Sequence, residues 1–222
     1  MVRNILRARL LLPQLDINGA SLVAKCPCCY NQFNHSQEGL VVGPSHALGC
    51  RVEQALFTAR HNKVRDLLAE YLKKYLPLTG VEVTVEATLT VQQGTNADGK
   101  RIDILVKADD GYIRYIDIAI AEPSGISYLV AGSADGVRVA AKCREMNKVN
   151  HFKAYAPGVD PSLFVPFVFE SSGRPSKCAL DFLKHTGMPG GIMRSLKEKI
   201  SVNVARYGGK MIADLKRGPL GG

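Results

Sequence analysis

Two carboxylates, Asp103 and Asp117, lie in consecutive segments that alternate apolar and polar residues. Between the segments stands Asp-Asp-Gly at 109–111, which is typical of a three-residue β-hairpin loop with the glycine in the left-handed conformation. This loop pairs Ala108 with Tyr112, and counting back along both strands puts the two aspartates opposite each other on one face. Adjacent carboxylates repel each other unless a cation lies between them. The pattern therefore predicts a Mg²⁺ site with open positions for water and a phosphate, and metal-assisted cleavage of a phosphodiester.

A second interpretation of the same hairpin is that Asp103 and Asp117 only decorate its solvent face, as acidic residues often do on half-buried strands. A one-residue change of loop register would also turn the two carboxylates to opposite faces. The metal site therefore depends on the loop type. The other face of the hairpin is apolar and is predicted to lie in the core, with Ile102, Ile104, Val106, Ile116, Ile118 and Ile120.

A predicted helix after the hairpin supplies cations. Spacings of three and four residues place four polar side chains on one face of this helix: Arg144, Lys148, His151 and Tyr155. A lysine there could orient the attacking water or stabilise charge that develops on the phosphate. Lys142 is the competitor of Lys148, but it cannot project in the same direction. The alternative interpretation is an ordinary solvated basic face.

A cysteine and histidine cluster at residues 26–50 is a second candidate metal site. Zinc is usually bound by four ligands supplied as two close pairs, and the chain offers a C-x2-C pair and an H-x3-C pair: Cys26, Cys29, His46 and Cys50. Metal binding would contribute folding free energy to a stretch with few apolar residues. We expect structural zinc there, with Cys28 and His35 as spare ligands. The other interpretation is a set of free thiols and surface histidines.

The elements that must position these residues follow from apolar periodicity. The predicted order is a helix at 52–76, strands at 81–86, 101–106 and 112–120, a helix at 139–152, a strand at 163–169, and helices from 179 and at 192–213. Pro166 indicates that the last strand lies near a sheet edge. Apolar Met146 and the small thiols of Cys143 and Cys178 are expected to face the core. The order predicts an α/β fold with a mixed sheet flanked by helices.

Composition and charge limit the class of protein. The 222 residues are 46% hydrophobic, which suffices for a core. No stretch is long and apolar enough for a membrane span, the N-terminal segment does not have the pattern of a secretory signal, and six cysteines are few for this length, so we expect an intracellular protein. Of the net charge of +9, residues 1–25 hold +3 and residues 194–222 hold +5. Basic ends favour a polyanionic partner, although solubility alone is the other interpretation.

The motif order resembles the restriction-like endonuclease region of site-specific non-LTR retrotransposons, in which a zinc-binding CCHC motif precedes a nuclease core of the PD-(D/E)XK type. After the cysteine and histidine pairs, the resemblance rests on Arg60-His61-Asn62, Glu86, Arg101-Ile102-Asp103, Tyr115-Ile116-Asp117, Lys148, Phe167-Val168-Phe169-Glu170 and Gly173. It implies an N-terminal helix and zinc module at 1–51, a restriction-endonuclease-like core at 52–190, and a basic C-terminal helix and tail at 191–222.

Carried over by position, the resemblance implies roles for individual residues. Asp103 and Asp117 would hold Mg²⁺, with Mn²⁺ as the alternative, and Lys148 would be the catalytic lysine, moved from a strand to a helix. Glu86 would be a further, outer ligand, with Glu70 as a weaker acidic candidate.

Two positions depart from the family pattern. Ile102 stands where the family usually has proline, and Ala119 stands where a D-x-K strand has its lysine. The second departure makes activity depend on Lys148 or another nearby lysine.

The implied function is a Mg²⁺-dependent endonuclease that cleaves or nicks DNA, with RNA as the alternative substrate. A reverse transcriptase or another element protein would be its partner, and the nucleus its location in a eukaryote. Residues expected to contact the nucleic acid are Arg60, Lys63, Arg144 and His151. The rival interpretation is a zinc-containing nucleic-acid-binding protein without catalysis.

Overall fold

The computed structural model describes residues 54–89, 101–123, 128, 130–133 and 136–217, with side chains as far as residue 211. The first helix, α1, spans Gln54–Tyr75, close to the predicted 52–76. Apolar residues recur every three or four positions and bury one side of α1: Val64, Leu67, Leu68, Tyr71 and Leu72. Lys73 and Lys74 lie in its last turn, where cations interact favourably with the helix dipole.

Four strands form one mixed sheet in the order β1-β2-β3-β4. The strands are β1 at Glu82–Thr88, β2 at Arg101–Lys107, β3 at Ile113–Ala121 and β4 at Phe164–Glu170. The first three are antiparallel, and β4 runs parallel to β3. These strands confirm the predicted ones with shifts at their ends. Among the strands that the structure describes, β3 is the one strand that pairs with β4, so Pro166 lies at an edge of the described sheet, where its missing N–H is tolerated.

Helices cover both faces of the sheet, which confirms the predicted α/β class. The remaining helices are α2 at Val139–Tyr155, α3 at Lys177–His185 and α4 at Gly190–Arg217. The main core joins α1, α3 and α4 to one face of β2, β3 and β4. On the other face α2 packs through Phe152, whose ring stacks on Phe164 with centroids 4.2 Å apart.

Helix α4 is part of the main core. It begins at Gly190, beside the predicted boundary at 190, and its apolar side packs against α1. Leu196, Ile200 and Val204 are fully buried in the same cluster as the sheet residues. The basic residues of α4 therefore belong to a helix that is anchored along one side.

Two predicted core residues lie outside the core. Met146 is 55% exposed, because the buried side of α2 runs from Ala140 and Ala141 to Phe152 and leaves Met146 facing outward. Cys178 is exposed in the first turn of α3, while Cys143 is half-buried. Among the helices that the structure describes, none combines the length and apolar character needed to cross a membrane.

Gly173, in the turn after β4, lies against α4, so replacing it tests that packing. Its φ is +84°, and a Cβ there would stand 3.0 Å from the Cα of Ser201. We expect Gly173→Ala to lower the free energy of unfolding by roughly 2–4 kcal/mol, because left-handed strain adds to a backbone overlap. Gly111→Ala is the control, since Gly111 has φ +80° but no atom within 4 Å of a Cβ. Equal losses in denaturant unfolding would contradict the close approach of α4.

Candidate metal-dependent active site

The β2–β3 hairpin has the register that its loop predicts. The N–H of Ala108 donates to the carbonyl of Tyr112 at 3.0 Å. The ladder then continues without a shift to the pair Ile104 and Ile116. The next position on each strand is an aspartate, so the predicted register is confirmed.

The regular ladder ends at these aspartates. In a continued ladder the N–H of Ile118 would bond the carbonyl of Ile102, but it donates to Oδ2 of Asp103 at 2.6 Å. Ile102 packs in the cluster under α2 instead of the predicted main core. The side chain of Asp103 is 19% exposed and that of Asp117 15% exposed. The two aspartates therefore do not decorate an open solvent face.

The pKa values of the two neighbouring carboxyl groups move in opposite directions. Burial acts to raise the pKa of Asp103, but His61 and the N–H of Ile118 bring it below the ordinary 3.8. Burial raises the pKa of Asp117 above 3.8; Lys148 opposes this rise and Asp103 adds to it. Neighbouring carboxyl groups with divergent pKa values are typical of functional sites.

Lys148 reaches the carboxylate pair from α2. Its Nζ lies 2.8 Å from Oδ1 of Asp117, and both side chains are mostly buried. The competing Lys142 is exposed, so Lys148 is the one of these two lysines that contacts the pair. Tyr155 lies on the same face, where burial and then the charges of Asp117 and Asp103 raise the pKa of Tyr155 to about 12.

Ala119 lies at a closely packed contact between β3 and α2. It is buried two residues after Asp117, where it packs with Ala140, Ala141 and Val168. The first turn of α2 thus lies directly on the strand, and small residues on both sides permit this approach. A long side chain at position 119 has no room, whereas Lys148 stands two turns further along α2.

The carboxylates of Glu170 and Glu145 hold α2 in place. The carboxylate of Glu170, at the end of β4, accepts from the N–H of Ala141 in the first turn of α2, and Arg174 lies 3.9 Å from it. Glu145 of α2 accepts from the N–H of Cys178 at 2.8 Å, in the first turn of α3. Carboxylates are favourable at helix N-termini, so the position of the lysine is set from both neighbours of α2.

Helix α1 contributes His61, a site residue that the sequence analysis did not assign. Its Nε2 lies 3.1 Å from Oδ1 of Asp103. One turn further on, Arg65 pairs with Glu86 of β1. The sequence shows that His61 and Arg65 are four residues apart on a basic helix. It does not show that His61 contacts Asp103, because 42 residues separate the two.

Glu86 pairs with arginines rather than with the aspartates. Its carboxylate also contacts Arg101 at 3.4 Å and is half-exposed. The β1–β2 pairing has the same register on both sides of Glu86, which has φ +53° and lies opposite Asp103. Glu86, the expected outer ligand, therefore lies opposite Asp103 in the strand register, but its carboxylate pairs with Arg65 and Arg101. Glu70 is exposed on α1, and its charge acts on Lys199 of α4.

Arg60 corrects one predicted nucleic-acid contact. It is 3% exposed, and its guanidinium lies over the ring of Phe57 at 5.1 Å. Burial lowers the pKa of Arg60 to about 10, with Glu122 opposing. The prediction is wrong because Arg60 lies one turn before Val64, on the buried side of α1. The other predicted contacts retain access to solvent: Lys63, Arg144 and His151.

The donor set of the pair fits Mg²⁺. Within the described residues, no group of three or more His, Cys, Asp or Glu side chains is arranged to hold a metal. Mg²⁺ does not need one, because it is usually bound by one or two carboxylates together with waters and substrate phosphates. The predicted zinc ligands lie outside the described residues: Cys26, Cys29, His46 and Cys50, with the spare Cys28 and His35.

The described geometry defines an α/β domain with a half-buried carboxylate pair that contacts a lysine and a histidine from two helices. No protein-family model matches the chain, and no curated protein matches it.

Ala119→Lys tests the packing that displaces the lysine. We expect a loss of roughly 3 kcal/mol or more in the free energy of unfolding, because a long charged side chain would enter a filled, apolar contact. Ala154→Lys, an exposed position on α2, is the matched control and should change stability by about 0.5 kcal/mol or less. Denaturant unfolding of both variants measures the difference. A stable Ala119→Lys protein would show that β3 has room for a lysine at this position.

Glu170→Gln tests the buried carboxylate at the end of β4, which lies against the first turn of α2. Burial raises the pKa of Glu170 above the ordinary 4.5, while Arg174 and the N–H of Ala141 oppose the rise. The folded protein then holds the proton more tightly than the unfolded chain. This stabilisation is fully present below the unfolded pKa and is lost as the pH rises through the folded pKa.

The free energy of unfolding of the wild type should therefore fall relative to that of Glu170→Gln as the pH rises from 4.5 towards neutral. Glu198→Gln, at an exposed position on α4, should show no such trend. Denaturant unfolding at a series of pH values measures both differences. A difference for Glu170→Gln that is constant with pH would refute the raised pKa.

Proposed function

We propose that the chain is a Mg²⁺-dependent endonuclease that cleaves or nicks DNA by phosphodiester hydrolysis, on a restriction-endonuclease-like core. The observation that carries the proposal is the contact of 2.8 Å between Nζ of Lys148 and Oδ1 of Asp117, with the carboxylate of Asp103 beside it. Two carboxylates can hold a divalent ion, and an ammonium group beside them can stabilise the charge that develops on a phosphodiester during hydrolysis. The resemblance to retrotransposon endonucleases supports the same assignment.

In this proposal Asp103 and Asp117 hold the divalent ion, with Mn²⁺ as the alternative to Mg²⁺. When bound, the ion supplies Lewis-acid polarisation of the scissile phosphate and lowers the pKa of water. Lys148 provides a positive charge where negative charge develops on the phosphate. The pair is half-buried, which strengthens these interactions relative to bulk water.

The rest of the chain has roles in the same proposal. The CCHC motif at 26–50 would hold structural zinc, and Lys63, Arg144, His151 and the basic ends would contact the phosphate backbone. RNA is the alternative substrate, and a reverse transcriptase or another element protein is the expected partner. We place the reaction inside the cell, and in the nucleus if the host is a eukaryote.

The second candidate is a zinc-containing nucleic-acid-binding protein without catalysis. Ala119 favours it, because the D-x-K lysine is missing from β3. Both candidates bind nucleic acid with an affinity that falls as salt rises. They differ in metal-dependent product formation.

Nicking of supercoiled plasmid separates the two candidates. We expect product with Mg²⁺ and none after EDTA. Asp117→Asn and Asp103→Asn should each lower the rate by at least about 100-fold, the upper end of losses seen for groups that only support a metal ligand. Lys148→Ala should cost about 100- to 1,000-fold, as expected for losing a group that stabilises transition-state charge.

Asp181→Asn, at an outward-facing ion pair on α3, is the matched control and should cleave at the wild-type rate. Thermal unfolding of each variant and plasmid binding without divalent metal show whether folding and binding are retained. If Asp117→Asn nicks DNA as fast as the wild type, the proposed function fails. Binding without metal-dependent product would instead support the second candidate.

A further inference from the structure

We infer that His61 is a positioning residue that fixes the carboxylate of Asp103 for metal binding. The inference rests on the proposed function and adds a residue from a different element to the site. Helix α1 carries His61, whereas the carboxylates lie on β2 and β3 and the lysine on α2. The role is to hold a ligand in place rather than to contact the substrate.

Both oxygens of Asp103 are bonded. Oδ1 contacts Nε2 of His61 at 3.1 Å, and Oδ2 accepts from the N–H of Ile118 at 2.6 Å. These two donors come from different elements, so together they set both the position and the plane of the carboxylate. Each carboxylate oxygen has two lone pairs, and one on each oxygen remains for an ion. The unbonded lone pairs are therefore held in a defined direction.

His61 is itself held firmly. Its helix is packed into the core by Val64 and Leu68, which are fully buried. One turn further on, Arg65 pairs with Glu86 on β1, opposite Asp103 in the pairing register. Helix α1 is thus tied to two adjacent strands at neighbouring points, and the imidazole is carried on a rigid support.

His61 acts through Asp103. Its Nε2 lies 3.1 Å from Oδ1 of Asp103 and donates to that oxygen, so this nitrogen is engaged by the carboxylate rather than by an ion. Groups that orient a metal ligand through a hydrogen bond are worth about 10- to 100-fold in metal affinity. A role in folding alone would change stability and leave metal affinity unchanged.

The test is Mn²⁺ binding to the full chain, followed by the electron paramagnetic resonance signal of free Mn²⁺. We expect His61→Ala to weaken binding by about 10- to 100-fold. His61→Gln should restore most of the affinity, because its terminal amide nitrogen can donate from nearly the position of Nε2. His61→Asn is the matched partner: it has the same amide on a shorter side chain and should not restore binding. This pair keeps the test decisive if the alanine variant does not fold.

His185→Gln is the control for replacing a histidine elsewhere, because His185 is exposed on α3 and contacts the carbonyl of Asp181 at 2.6 Å. It should bind Mn²⁺ as the wild type does. At saturating metal, His61→Ala should recover much of its nicking rate, with an unchanged KM for plasmid.

Asp117→Asn separates the two ways to fail. If Asp117→Asn loses Mn²⁺ binding while His61→Ala and His61→Asn keep it, the ion binds at the pair and only the role of His61 is overturned. If Asp117→Asn binds Mn²⁺ as tightly as the wild type, the ion binds elsewhere, and the proposed function is overturned together with the role of His61.

Discussion

The repulsion between two half-buried carboxylates, Asp103 and Asp117, is the constraint on which the arrangement of this protein depends. An ionised carboxylate is costly to bury unless it is paired and hydrogen bonded. Three groups from three elements meet that requirement: the imidazole of His61, the ammonium of Lys148 and the N–H of Ile118. Helices α1 and α2 thus contribute charge or donors as well as apolar surface to the sheet.

The centre of the site, Asp103, Asp117 and Lys148, was predictable from the sequence because it depends on short-range features. The Asp-Asp-Gly loop determines the pairing of its own flanking strands, and helical spacing alone favours Lys148 over Lys142. Packing between distant segments was not predictable in this way. Arg60 reads as one more cation on a basic helix, and only the docking of α1 shows that it faces inward. The contact of His61 with Asp103 also depends on how α1 docks on the sheet, so it was not predictable either.

The position of the lysine follows from how closely α2 approaches the sheet. Alanines on both sides, at 119, 140 and 141, let the helix lie against β3. The same approach brings Lys148 within reach of Asp117 and removes the space that a lysine on the strand would need. The contact of Lys148 with Asp117 and the close packing of α2 therefore have the same structural cause, and Glu170 and Glu145 hold the helix in place.

The sequence separations within the site also bear on the order in which it forms. The two carboxylates belong to one short hairpin, which closes fast, whereas Lys148 lies 31 residues from Asp117 and His61 lies 42 residues from Asp103. Contacts between distant segments form more slowly than local ones. We therefore expect the two carboxylates to come together before their partners during folding, so that apolar contacts of the hairpin isoleucines must oppose the repulsion between them. The two aspartates would thus come together first, and His61 and Lys148, which stabilise them, would join last.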